Sequence, residues 1–208
     1  MDYNAYKKID FRRKYWKFLG VDISVTDPNS GDLIGFINQK TIQLRPDVFV
    51  YTDKSMNQSI VELKKQTLIS STPKYSIIDT QSHAELGSLQ FNDFKSYFMR
   101  WHIRLCDPAG TEIGYIQETS SALALLRRWM GIISDLLELI LAFVPQTFSI
   151  YQTQADSGPQ LVGTIVHRKN PFIVKMSLDL TRGQATFDPK LNFAICTLLC
   201  LRDISKNA

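Results

Sequence analysis

Polar and apolar residues alternate along several short stretches of the chain, as in Val21, Ile23 and Val25 or Trp101, Ile103 and Leu105. A period of two puts one set of side chains on one face, so each stretch predicts a strand with a single buried face. The stretches run into Asp27, Asp53, Asp79 and Asp107. A short carboxylate can accept a hydrogen bond from backbone two residues on and so open a turn, and Pro28 and Pro108 preset the next φ angle. Beyond each turn lies an apolar residue, a glycine and a further apolar residue. The quartets are Ile34-Gly35-Phe36-Ile37, Leu86-Gly87-Ser88-Leu89, Ile113-Gly114-Tyr115-Ile116 and Val162-Gly163-Thr164-Ile165. Glycine weakens an ordinary strand, so its recurrence at one relative position predicts a bulge, a bend or a close backbone approach there.

The turn aspartates are 26, 26 and 28 residues apart. The second unit, DVFVYTDKSMNQSIVELKKQ, keeps the aspartate but lacks the glycine, and an insertion stretches the step from Gly114 to Gly163 to 49 residues. FIVKMSLDL and QATF supply a last pair, which makes six hairpins and twelve strands. A sheet of that size is expected to close on itself, because closure removes its edges.

Two segments depart from the strand pattern. In FDPKLNFAICTLLCLRD, Asp188 suits an N-cap and Pro189 the first helical position, where its missing N–H costs nothing. The residues that follow are apolar almost all round, which predicts a buried central helix over 189–203. That run is too short to span a bilayer, which needs about 20 apolar residues. The second segment, residues 120–144, predicts an external helix at 121–143 with a wide apolar face that includes Trp129, Ile133, Leu137 and Ile140. A barrel wall, a second subunit or a lipid surface would have to cover that face.

Composition adds a bias at one end. With 44% hydrophobic and 21% charged residues, 208 residues suit one soluble domain with a substantial core. Residues 1–17 hold six cations (Lys7, Lys8, Arg12, Arg13, Lys14 and Lys17) against Asp2 and Asp10. They account for the whole net charge of +4, since the remainder carries 18 residues of each sign. The expected layout is a basic segment at 1–14 followed by a single barrel domain at 15–208. The first 20 residues lack the apolar core of a signal peptide. Three cysteines do not suggest a disulfide framework, so the expected location is cytoplasmic, with peripheral contact to membrane.

Repeated hairpins of the form IYD..G..IG.I, closed by an apolar helix, resemble the tubby C-terminal-like superfamily, which includes the tubby domain, the phospholipid scramblases and the LURP-one-related proteins. The likeness spans residues 15–203, and RRKYWKFLG, PQTFSIY and NPFIVKMSLDL look most like uncharacterised bacterial members. The resemblance implies a twelve-stranded closed barrel around a C-terminal helix, and a general association with lipid. Scramblases carry an acidic calcium-binding-like segment before the last helix. Here SLDLTRGQATFDPK offers only Asp179 and Asp188, too few oxygen ligands for calcium. The basic residues of the tubby domain do not align with particular lysines of this chain, so no site residue is inherited. The expected fold class is mainly β (α+β): a twelve-stranded closed antiparallel barrel around a buried C-terminal helix, with one external helical insertion.

No motif for catalysis, cofactor or metal stands in the chain: no G-x-S-x-G, P-loop, G-x-G-x-x-G or H-E-x-x-H. His83, His102 and His167 fall in different hairpins, and Cys196 and Cys200 lack the further ligands that zinc requires. The basic, aromatic head YKKIDFRRKYWKF is the principal lead, with Trp16 as a possible anchor ring. It suits an anionic phospholipid surface. Nucleic acid, the less favoured partner, would attract the same charge, and packing of Trp16, Phe18 and Leu19 on the barrel rim is the plain structural alternative. The expected function is a non-enzymatic module that docks on anionic membrane lipid. The alternative is a scaffold that binds a protein partner or itself through the 121–143 helix.

Overall fold

Alternating side chains do sort to two faces, and the inward set closes into a barrel. The computed structural model describes residues 3–14, 20–40, 47–66, 73–91, 102–120, 145–154, 158–169, 173–183 and 187–202. A 3-10 turn at Tyr3–Ala5 precedes strands β1 (Lys8–Lys14), β2 (Gly20–Thr26), β3 (Leu33–Lys40), β4 (Val48–Tyr51), β5 (Ser59–Lys65) and β6 (Lys74–Asp79). Then come β7 (Glu85–Phe91), β8 (His102–Cys106), β9 (Glu112–Glu118), β10 (Gln146–Gln154), β11 (Gly158–Lys169), β12 (Ile173–Asp179) and a helix α1 (Pro189–Arg202). Each strand pairs with its sequence neighbours, and β1 closes the ring against β12. All these pairings are antiparallel.

The twelve strands are not the twelve expected. Residues 184–186 of the QATF segment lie outside the described residues, and Phe187 belongs to no strand. The closing strand is β1, drawn from the basic head. Ile9 and Phe11 alternate with Lys8, Asp10 and Arg12, and both are buried in the shared apolar core. That alternation makes residues 8–14 a stave of the barrel, not a segment ahead of it. Residues 121–144 lie outside the described residues, so the expected helical insertion does too.

The turn chemistry follows the aspartates. Asp27, Asp53 and Asp79 each accept a hydrogen bond from the backbone N–H two residues on, at 2.9, 2.7 and 3.0 Å. Asp179 repeats the arrangement with Thr181 at 2.9 Å, whereas Asp107 reaches Thr111, four residues on, at 2.8 Å.

Past each turn the register slips by one residue. The slip occurs at Val25/Thr26, Val50/Tyr51, Ile77/Ile78, Leu105/Cys106 and Ile150/Tyr151. The unopposed residues are Ile34, Ile60, Leu86, Ile113 and Val162, and all five turn into or against the core. A bulge adds local twist and bends its strand, which a closing sheet needs. Unit two bulges at Ile60 with Val61 where the others have glycine, so the bulge itself does not demand glycine. Close approach does. A Cβ on Gly87 would lie 2.5 Å from the Cys106 carbonyl oxygen, and one on Gly114 would collide with that of Tyr151.

Helix α1 begins where the sequence places it. Asp188 accepts the Lys190 N–H at 2.8 Å, an N-cap bond. Leu191, Phe193, Ala194, Ile195, Cys196, Leu198, Leu199, Cys200 and Leu201 are buried in one cluster with the inward residues of the strands. Cys200 lies 3.9 Å from Met176 on β12, and Phe193 meets Phe11 and Tyr3 edge-on. Near the start of the helix, Lys190 pairs with Asp79 at 2.8 Å, with both side chains largely buried. Burial works to raise the Asp79 carboxyl, but the Lys190 ammonium and the Gln81 N–H hold it below the usual carboxylate range. A carboxylate depressed in the folded state stabilises the fold above its unfolded value, and that contribution vanishes as pH falls through the folded value.

Gly114→Ala is expected to cost about 1–3 kcal/mol in urea denaturation. Gly35→Ala, whose Cβ would meet nothing nearer than 3.4 Å, should cost less than about 1 kcal/mol. Asp79→Asn should lose about 2 kcal/mol at pH 7. It should also flatten the loss of stability that the native chain shows below about pH 4; an unchanged acid limb in thermal melts would contradict the role of the Lys190 pair.

Candidate functional site

The six cations of the head do not form one patch, because a strand divides them between two faces. Lys7 is exposed just ahead of β1, and its carbonyl accepts the Leu180 N–H at 2.8 Å. Lys8 and Arg12 point outward from β1. Lys8 lies 3.7 Å from Asp179 on β12, an exposed pair of small energetic weight. Arg13 takes the opposite direction: it shares the inward face with Ile9 and Phe11 and is only 6% exposed. The expected role of Arg13 as a surface cation is therefore corrected, since strand alternation commits it to the interior side. Lys14 ends β1, and of its side chain nothing is described. Trp16 and Lys17 lie outside the described residues, as do Trp129, Ile133, Leu137 and Ile140.

Folding instead joins Arg12 to cations from the other end of the chain. Arg12 on β1 stands in register with Lys175 on β12, and Lys175 stands in register with Arg168 on β11. All three occupy the outward face, with Arg12 and Arg168 exposed and the Lys175 side chain 45% exposed. At a strand spacing of about 4.8 Å the rung spans about 10 Å. Lys175 pairs with Asp10 at 2.7 Å. Among the described residues no carboxylate pairs with Arg12 or Arg168. Like charges opposite one another disfavour a sheet, by about 0.7 kcal/mol for two unit charges 6 Å apart in water. Asp10 offsets part of that cost at Lys175, and an anionic partner would remove the rest.

Charge density along the chain does not reveal Arg168 and Lys175 as neighbours of the head. They stand more than 150 residues from Arg12, and only the closing of the barrel makes them neighbours. The strand in the head was legible: Ile9 and Phe11 carry the period of two, and the density of positive charge obscured it.

The remaining candidates are dispersed. His83 sits in the turn between β6 and β7. His102 stacks on Tyr115, and Tyr115 on Tyr151, along the outer face at centroid distances of 5.2 and 4.9 Å. His167 is buried on the inward side of β11 at 4% exposure. The structure does not bring the three histidines together. Burial pushes the thiols of Cys106 and Cys196 up, and neighbouring Cys200 adds to the effect at Cys196, so both stay protonated. Among the described residues no three His, Cys, Asp or Glu side chains converge on one metal-sized site. A cleft of about 730 Å³ beside β5 and β6 mixes Lys64, Lys65, Asp47 and Glu85, with no excess of either sign. No helix among the described residues is long and apolar enough to cross a membrane.

Compared with protein-family models, curated proteins and solved structures, the chain matches none.

Proposed function

We propose that this chain is a non-enzymatic binding module, a barrel of tubby-like type sealed on its C-terminal helix, that docks on anionic membrane phospholipid. The observation that carries the reading is the outward cationic side of β1. Lys7 stands just ahead of β1, Lys8 and Arg12 project outward from it, and the strand is laddered to β12 along its length and to β2 from Asp10 onward, so docking need not order the backbone that carries them. Basic residues near an acidic leaflet contribute about 1 kcal/mol each. A few such contacts give reversible association that weakens as salt screens the charges. The resemblance to a superfamily with lipid-associated members supports the same reading.

Removing the head would not test this, because β1 closes the barrel and its loss would open the sheet. Charge substitution does. The full chain should float with vesicles of phosphatidylcholine and phosphatidylserine and not with phosphatidylcholine alone. The joint Lys7→Gln and Arg12→Gln change should lower partitioning about 25-fold. Equal recovery with neutral and acidic vesicles would overturn the proposal.

A further inference from the structure

We infer that the surface meeting the membrane is the side wall formed by β11, β12 and β1, with Arg168 and Lys175 binding the acidic bilayer beside Arg12. This rests on the lipid-docking reading above and adds residues and an orientation that the head alone does not supply. The three cations lie on one rung of adjacent strands and project outward in register. Two of them have no carboxylate partner among the described residues, so this stretch of wall carries uncompensated positive charge in the absence of a ligand.

Charge thins towards the turns and concentrates at the other end of the wall. Near the turns Lys8 is matched by Asp179, and on the rung itself Lys175 is matched by Asp10. Arg12 and Arg168 flank Lys175 on that rung, both exposed. Elsewhere among the described strands the outward cations share their face with carboxylates: Lys64 and Lys74 lie diagonally on β5 and β6, with Glu62 and Glu85 on the same side. Lys64 on β5 stands opposite Ser76, Lys74 on β6 opposite Gln90, and Arg104 on β8 is paired to Glu112 at 2.6 Å. The β11–β12–β1 wall is thus the described face whose charge best complements an acidic plane. Its backbone is laddered on every strand, so the cations spring from a fixed row of positions. The barrel would lie on its side, with the three strands against the headgroups and β5 and β6 facing away.

The test uses the full chain and vesicles of phosphatidylcholine with 30 mol% phosphatidylserine, roughly the anionic character of a cytoplasmic leaflet, read by co-sedimentation at fixed salt. Arg168→Gln should lower the partition coefficient about fivefold, and Arg168→Gln with Arg12→Gln about 25-fold. Arg168→Lys should retain binding, which a purely structural role for the guanidinium would not allow. Lys64→Gln, on the far wall, should change binding by less than about twofold. Equal losses from Lys64→Gln and Arg168→Gln would mean that binding reads total charge, which overturns the side wall and leaves lipid docking intact. Failure of the unaltered chain to bind acidic vesicles would sink both. Tighter binding to polyuridylate than to these vesicles at the same salt would assign the wall to nucleic acid and overturn the inference. Thermal melts of each variant show whether a loss reflects binding or folding.

Discussion

The seam between β1 and β12 is the constraint on which the rest of the structure depends. Seven residue pairs, from Lys8 with Asp179 to Lys14 with Ile173, join the two ends of the chain. Every other ladder links strands that follow one another in sequence. Without this seam the sheet would have two open edges with unpaired backbone groups, and Phe11 and Met176 would lose the enclosure that leaves both fully buried. The helix shares that dependence, because Phe193 packs on Phe11 and Cys200 on Met176. Closing so long a loop is entropically costly. The apolar residues of both strands and of α1 supply the compensation together.

A second regularity shapes the barrel at the end where the hairpins turn. Five bulges recur at the same step after the turn, each folding an additional aliphatic side chain against the core. The twist they add lets a wide antiparallel sheet curve round. The same end holds the aspartate-capped turns, the Asp79–Lys190 pair and Tyr3 against Phe193. It is thus a closely bonded end, held by hydrogen bonds, one ion pair and ring contacts.

Charge on this protein is organised by the sheet and not by the chain. The head contributes one buried arginine, one arginine on the cationic rung and one lysine matched by a carboxylate. The seam that closes the barrel also completes the rung, so one backbone ladder carries both the stability of the fold and the most basic described face. Arg12 and Arg168 stand on the two strands that flank β12, although about three quarters of the chain lies between them.

The sequence by itself determined the local parts. Period-two alternation marked the strands, aspartates marked the turns, spaced glycines marked four of the five bulges, and Asp188-Pro189 marked the start of the helix. These are legible because each depends on residues within a turn or two of one another. The head strand was legible too, in Ile9 and Phe11, but its net charge argued for a solvated segment. Only the tertiary structure decided which strand closes the ring, which side of β1 each cation takes, and which distant cations stand next to Arg12. The physical reason is that register across the seam is set by burying Ile9 and Phe11 opposite Leu178 and Met176, and a pairing between residues so far apart leaves no trace in local spacing.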